Sequence, residues 1–233
     1  MEEDIISSKE EFQNLLNLLK EHNSFFLEFS CLKFENFIRK NKKKIFNSFQ
    51  VKNGMTKGVL IPLSKDYVIK IPFMGYESFI NGFHLFDGAF EPEEDAYKEL
   101  QGSWNYCQRE EEIYNLAKEY HVAEFFAQVK QIDNFENYPI YLQPYANIGS
   151  KSMISLEDDA RKVVKVRKFC EEMGFYAFNT RWMADALEYY GFSKVKEFCF
   201  FMNKFYLNDD LHEENIGYID NRPVLVDYGG YSY

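Results

Sequence analysis

The chain has 233 residues, which is enough for one domain with a full core or for two small lobes that share a cleft. With 27 basic and 37 acidic side chains its net charge is −10, and a surface this acidic argues against nucleic acid or an anionic membrane as the main partner. The four cysteines are far apart and no run approaches about 18 apolar residues, so we expect free buried thiols in a cytoplasmic protein.

The first 48 residues predict a helical extension. Ser8 and Glu11 have the spacing of a capping box and precede apolar residues that recur at helical intervals. A second helix is predicted around Phe34, Phe37 and Ile38, and it ends in a lysine-rich run that suits the negative end of a helix dipole. The extension either packs on the rest of the fold or offers a surface to a partner.

From Gly54 onward the pattern becomes strand-like. Gly54 and Gly58 mark a turn before an apolar run, and residues 67–71 form the return strand, which carries Lys70. Glycines allow a backbone to approach phosphate groups and to present its N–H groups, although a hairpin with two glycines is common in any sheet. Lys70 stands between apolar residues and would need an anion if buried, or it is a surface lysine on an edge strand.

Residues 76–104 show no clean period and contain an acidic patch, so they are interpreted as an insertion, a lid or a docking surface. A helix is predicted from about Trp104 to Tyr120, with consecutive glutamates at Glu110, Glu111 and Glu112. A run of glutamates is usually solvated helix surface, and only one of the three can face inward.

Residues 125–132 and 138–142 read as two further strands, which would complete a five-stranded antiparallel sheet. Three helices follow, with glycines at Gly174 and Gly191 ending the first two. The last of these helices leads directly into an acidic loop near the end of the chain.

That loop runs from Asp210 to Asn215 and is followed by two short predicted strands and by Asp227. A hairpin would bring the side-chain oxygens of these three residues to one end. Hard oxygen donors of this kind suit Mg²⁺ bound together with phosphate. A site of this composition can support phosphoryl transfer.

The segments Asp210-Leu-His-Glu-Glu-Asn215 and Asp227-Tyr228-Gly229 resemble the protein-kinase-like superfamily in their order and spacing. The Asp-Leu-His start is similar to aminoglycoside and choline phosphotransferases. The resemblance implies an α+β, bilobal protein-kinase-like fold. It would have a helical extension over 1–48, a small lobe with a five-stranded antiparallel sheet and one helix over 49–145, and a reduced helical lobe over 146–233.

The resemblance also implies ATP bound between the lobes. Its phosphates would be held by Lys70 and by the turn from Gly54 to Gly58. Gln143 and Tyr145 would belong to a hinge whose backbone binds adenine.

The same resemblance implies the remaining roles. Asn215 and Asp227 would bind Mg²⁺, and Asp210 would be the catalytic base. Glu110 would pair with the strand lysine because Ile113 follows it by three positions, as in the family, and Glu111 is the alternative.

The chain departs from the family pattern before the catalytic Asp, where Asn208 and Asp209 replace His and Arg. Regulation through that Arg is therefore not expected, and Asp209 is a second candidate base. His212 would brace the loop, contact the transferred phosphate, or be a core histidine with a satisfied hydrogen bond.

We expect an ATP- and Mg²⁺-dependent kinase-like phosphotransferase that modifies a hydroxyl of a protein or a small molecule. Because the sequence ends at Tyr233, soon after Asp227, acceptor contacts are expected from the N-terminal helices, the acidic insertion or a partner. Two alternatives stay open: transfer of AMP to a protein hydroxyl, and a pseudokinase that serves as a nucleotide- or protein-binding module.

Overall fold

A computed structural model of the chain describes residues 17, 31–41, 49–54, 56–73, 105–135, 138–148, 160–175, 180–208 and 211–229. Within these residues the fold is α+β. The helices are α1 (Cys31–Lys40), α2 (Tyr106–Glu119), α3 (Ala160–Glu172), α4 (Thr180–Tyr190) and α5 (Phe192–Lys204). The strands are β1 (Phe49–Asn53), β2 (Lys57–Pro62), β3 (Tyr67–Pro72), β4 (Lys130–Phe135), β5 (Tyr138–Pro144), β6 (Asn147–Ile148), β7 (Ile216–Ile219) and β8 (Arg222–Leu225). None of the helices among these residues is long and apolar enough to cross a membrane.

The chain divides into two compact units. The first comprises residues 1–107 and 130–143, and the second comprises residues 108–129 and 144–233. The second unit thus includes α2 from Gln108 onward, a helix that the sequence assigned to the small lobe. The lobe boundary between residues 145 and 146 stays a prediction.

The first unit contains a five-stranded antiparallel sheet with the strand order β1-β2-β3-β5-β4. This confirms the predicted sheet. Its strand β1 falls in a stretch for which the sequence predicted no strand. Helix α1 packs on β2 through Phe34, which is fully buried and whose ring centroid lies 5.3 Å from that of Phe73. The first predicted helix of the extension and the insertion over 76–104 lie outside the described residues, apart from Asn17.

The second unit is built around an aromatic core on the inner side of α5. Phe198 is fully buried, and its ring centroid lies 4.4 Å from that of Phe125 and 6.0 Å from that of Trp182. The strand predicted for 125–132 begins only at Lys130, because Phe125 ends a 3₁₀ turn and packs into this core instead. An apolar run by itself does not distinguish a strand from a turn whose side chains pack into the core.

A second, three-stranded sheet has the order β6-β7-β8. The turn between β7 and β8 consists of Asp220 and Asn221, whose φ angles are 49° and 69°. Two successive residues with positive φ form the primed turn that matches the twist of a hairpin, and Asp and Asn tolerate it. The predicted C-terminal hairpin is therefore present, with Ile219 opposite Arg222.

Candidate functional site

Asn215 and Asp227 both lie at the open end of the β7–β8 hairpin. The backbone N–H of Val226 donates to the carbonyl of Asn215 at 2.9 Å, which extends the ladder one step beyond the Ile216–Leu225 pair. Asn215 is 4% exposed and Asp227, the next residue after Val226, is half-buried. An amide oxygen and a carboxylate are thus held at one end of a short hairpin.

The hairpin is fixed by contacts on both sides. On one side β6 pairs with β7, and a Cβ on Gly217 would lie 2.8 Å from the carbonyl oxygen of Asn147, so the two backbones approach closely there. On the other side the N–H of Ala127 donates to the carbonyl of Leu225 at 2.8 Å. These contacts leave the open end little freedom to spread.

Helix α4 ties the hairpin to the helical part of the second unit. The hydroxyl of Tyr218 donates to Oδ2 of Asp185 at 2.6 Å. The hydroxyl of Tyr190 lies 2.8 Å from the carbonyl oxygen of Glu124 and 2.7 Å from that of Pro223. Burial raises the pKa of Tyr190 above its usual range, so this hydroxyl stays protonated and able to donate.

Tyr228 follows Asp227 and points into the core of the second unit. It is 2% exposed, its hydroxyl donates to the carbonyl of Ala127 at 2.7 Å, and its ring centroid lies 4.9 Å from that of Phe126. Burial raises the pKa of Tyr228 well above its ordinary value, and the neighbouring carboxylate of Glu110 raises it further. Glu110 is therefore close to the residue that follows the proposed metal ligand.

Helix α2 turns one of its three consecutive glutamates inward. Glu110 is fully buried and shares its face with Ile113 and Ala117, whereas Glu111 is half-buried. Glu112 is exposed and accepts a hydrogen bond from Gln108 at 2.9 Å. The sequence favoured Glu110 for the inward position, and the structure places it there.

The loop before the hairpin is described from Leu211 onward. Asp209 and Asp210 lie outside the described residues, so the predicted catalytic base and its alternative stay predictions. His212 is exposed, and its Nδ1 accepts a hydrogen bond from the N–H of Glu214 at 3.3 Å, which caps the 3₁₀ turn ending at Asn215. His212 is thus a surface cap and not a core histidine.

In the first unit, Lys70 lies in the middle of β3 opposite Val59 and is 3% exposed. Paired residues in an antiparallel ladder share a face, and faces alternate along each strand. Gly58 and its partner Ile71 therefore face α1, whereas Lys70 lies on the opposite face. Lys70 is not a surface lysine.

The two glycines of the predicted phosphate turn differ in what surrounds them. Gly54 is exposed in the β1–β2 loop, and a Cβ there would meet the carbonyl oxygen of Lys57 at an ordinary 3.4 Å. Gly58 lies within β2, and a Cβ there would lie 2.4 Å from the ring of Phe34. Packing against Phe34 by itself accounts for a glycine at position 58, and a phosphate contact through its backbone stays a prediction.

Gln143 and Tyr145, the predicted hinge positions, flank the last residue of β5. Gln143 is 3% exposed and belongs to the first unit, and Tyr145 is half-buried and belongs to the second. Adenine binding through their backbone stays a prediction.

The donor set at the hairpin end fits Mg²⁺ better than a transition metal. Over the described ranges no three His, Cys, Asp or Glu side chains cluster as a metal site. Mg²⁺ does not need such a cluster, because it usually keeps several waters and takes one or two carboxylates together with substrate phosphates. Asn215 and Asp227 supply oxygen donors of this type.

Sequence reasoning missed three features of the two units. Lys57 is 4% exposed and lies on the same sheet face as Lys70. Phe34 covers Gly58, and the hydroxyl of Tyr228 bonds to Ala127. Of these three features, only the position of Lys57 could have been predicted. The predicted turn after residue 63 fixes the register of β2 and β3 and therefore places Lys57 on the same face as Lys70.

Comparison of this chain with protein-family models, with curated proteins and with solved structures finds no match. The function is therefore inferred from the chemistry of the residues. In the second unit, oxygen donors at a fixed hairpin end can hold a divalent cation, and Glu110 is buried near Tyr228. In the first unit, one face of the sheet carries buried ammonium groups, which can interact with an anion.

Proposed function

We propose that this protein is an ATP- and Mg²⁺-dependent phosphotransferase with a bilobal, protein-kinase-like fold. It transfers the γ-phosphoryl group of ATP to a hydroxyl of a protein or a small molecule. The observation that supports the proposal is the position of Asn215 and Asp227 at the open end of an anchored hairpin. Hard oxygen donors of this type are the ligands that a nucleotide-bound Mg²⁺ takes from a protein.

The chain's own residues hold the metal and the phosphates. Mg²⁺, when bound, offsets the negative charge that builds up on the phosphate oxygens. The amide oxygen of Asn215 and the carboxylate of Asp227 are its proposed ligands. Contacts with β6, Ala127 and α4 support the hairpin that carries both residues. A hairpin that is already formed lowers the ordering cost of binding.

Lys70 and Glu110 have complementary roles in the proposal. Lys70 donates to phosphate oxygens of the nucleotide, and Glu110 has the role that the resemblance assigns to it. The burial of both residues supports this assignment, because a buried ammonium or carboxylate group requires partners of opposite charge or hydrogen bonds.

The proposed reaction is an in-line displacement at the γ-phosphorus. Asp210 accepts the proton of the acceptor hydroxyl, whose oxygen forms a bond to the γ-phosphorus. The bond from that phosphorus to the bridging oxygen breaks, and ADP leaves with the electron pair. The product is a phosphate monoester.

Label transfer tests this proposal. The protein is incubated with Mg²⁺ and with ATP labelled at the γ- or at the α-phosphate, together with candidate hydroxyl acceptors and a cell extract. We expect only the γ label to appear on an acceptor. The rate of transfer should fall about 100-fold or more in Asp227→Asn, because the metal that stabilises the developing charge loses a ligand. Asp220→Asn, in the exposed turn of the same hairpin, is the matched control and should keep full transfer.

The same variants are compared by thermal melting. Mg-ATP at about 100 times its Kd should stabilise the wild type by about 2.7 kcal/mol. Asp227→Ala should remove most of this effect. Transfer of the α label would indicate AMP transfer instead, and stabilisation without transfer of either label would indicate a nucleotide-binding module.

A further inference from the structure

The strand pair β2–β3 carries two buried lysines on one face. Lys57 is 4% exposed and Lys70 is 3% exposed. Lys57 lies opposite Pro72, and Lys70 lies two positions before Pro72 in β3, so the two lysines are diagonal neighbours across the ladder. Diagonal neighbours on one face have Cα atoms roughly 7–8 Å apart, which long side chains span easily.

The opposite face of the same strand pair is apolar. It contains Leu60, Ile69 and Ile71, together with Gly58, on which Phe34 of α1 packs. The lysines therefore do not share a face with this core. The lysine face also carries the buried apolar residues Ile61 and Val68, so the two lysines are buried on a face that is partly apolar.

Two ammonium groups on one sheet face repel each other where they approach, and they lose hydration when they are buried. Both lysines take part in interactions within the chain, so an incoming anion would share or replace those partners. An anion with charge on several neighbouring oxygens can contact both groups at once. A di- or triphosphate has this form, whereas one carboxylate offers only two oxygens.

We propose that Lys57 is a second phosphate-binding residue, and that Lys57 and Lys70 together bind the phosphate chain of the nucleotide. The identity of the anion as a nucleotide rests on the proposed function. Lys57 is the first residue of β2 and thus the nearer of the two lysines to the β1–β2 turn. The phosphate chain of the bound nucleotide accordingly runs along the sheet from the middle of β3 toward that turn.

Titration calorimetry with inorganic tripolyphosphate, with Mg-ATP and with adenosine tests the proposal. Loss of one charge-assisted contact should weaken the binding of tripolyphosphate and of Mg-ATP about 10- to 100-fold in Lys57→Gln and in Lys70→Gln. Adenosine affinity should not change. Lys57→Arg keeps the cation and should retain most of the affinity, and it replaces the Gln variant if that variant does not fold.

Lys52→Gln is the matched control. Lys52 lies on the same face, opposite Val59, but is exposed, so its change should alter the affinity by no more than about twofold. Equal effects of Lys57→Gln and Lys52→Gln would overturn the inference. So would a Lys57→Gln protein that melts at a lower temperature but binds tripolyphosphate as tightly as the wild type, because Lys57 would then serve only an internal ion pair.

Label transfer separates this inference from the proposed function. If the wild type transfers γ-phosphate and Lys57→Gln binds tripolyphosphate normally, the inference is wrong and the function stands. If tripolyphosphate binding depends on Lys57 and no label is transferred, the anion site stands and the proposed function is wrong.

Discussion

Tyr228 combines an apolar ring with a hydroxyl that is hydrogen-bonded to backbone groups at the end of the hairpin. Its ring packs on Phe126, and its hydroxyl donates to the carbonyl of Ala127 at 2.7 Å. The segment around Ala127 also pairs with Leu225 of β8, so the hydroxyl connects the residue after Asp227 to the segment that supports the hairpin. A phenylalanine would keep the packing and lose this connection.

We therefore predict that Tyr228→Phe lowers the free energy of unfolding by about 0.5–1.5 kcal/mol, because a buried hydrogen bond is lost. Tyr206→Phe is the control, since Tyr206 is 71% exposed, and its change should stay within about 0.5 kcal/mol. Urea unfolding followed by circular dichroism measures both. Equal effects of the two variants would show that the Ala127 hydrogen bond contributes nothing.

At the scale of elements, the contact between α1 and β2 explains one glycine and not the other. A Cβ on Gly58 would lie 2.4 Å from the ring of Phe34, which is fully buried, whereas a Cβ on Gly54 would meet only a backbone oxygen at 3.4 Å. We predict that Gly58→Ala destabilises the protein by about 1–3 kcal/mol through overpacking. Gly54→Ala, the matched control, should change stability by no more than about 0.5 kcal/mol.

A double-mutant cycle identifies the cause of the Gly58 effect. Phe34→Leu removes the ring, so Gly58→Ala should cost less in that background than in the wild type. Thermal and urea unfolding of the four proteins give the coupling energy. Additive effects would mean that the glycine is required for a reason other than Phe34.

The elements that could be predicted are those with a local signal. Turn residues and short apolar runs predict the hairpin in residues 216–227. The helical spacing of apolar residues predicts α5. The run Phe125–Phe126 could not be assigned, because its burial depends on Phe198, which lies far along the chain. The roles of Phe34 and Lys57 likewise depend on register and on contacts between elements, which a single sequence does not state.

At the scale of the molecule, each unit has its own core and its own candidate residues. Lys57 and Lys70 belong to the first unit, and Glu110, Asn215 and Asp227 belong to the second. The second unit also contains two buried cysteine thiols whose pKa values are raised. Burial raises the pKa of Cys170 from 9.0 to about 11 and that of Cys199 from 9.0 to about 12. The free energy of unfolding of this unit should therefore fall as the pH becomes alkaline.

A thiol whose pKa is higher in the folded than in the unfolded state contributes stability that is full below pH 9.0 and is lost as the pH rises toward its folded value. At pH 10 each of the two thiols should cost about 1 kcal/mol relative to pH 8, because the unfolded chain ionises first. Urea unfolding under a reductant at both values measures this loss. Cys199→Ala, although less stable at pH 8, should lose about 1 kcal/mol less than the wild type on going to pH 10. An unchanged pH dependence in Cys199→Ala would contradict the assignment.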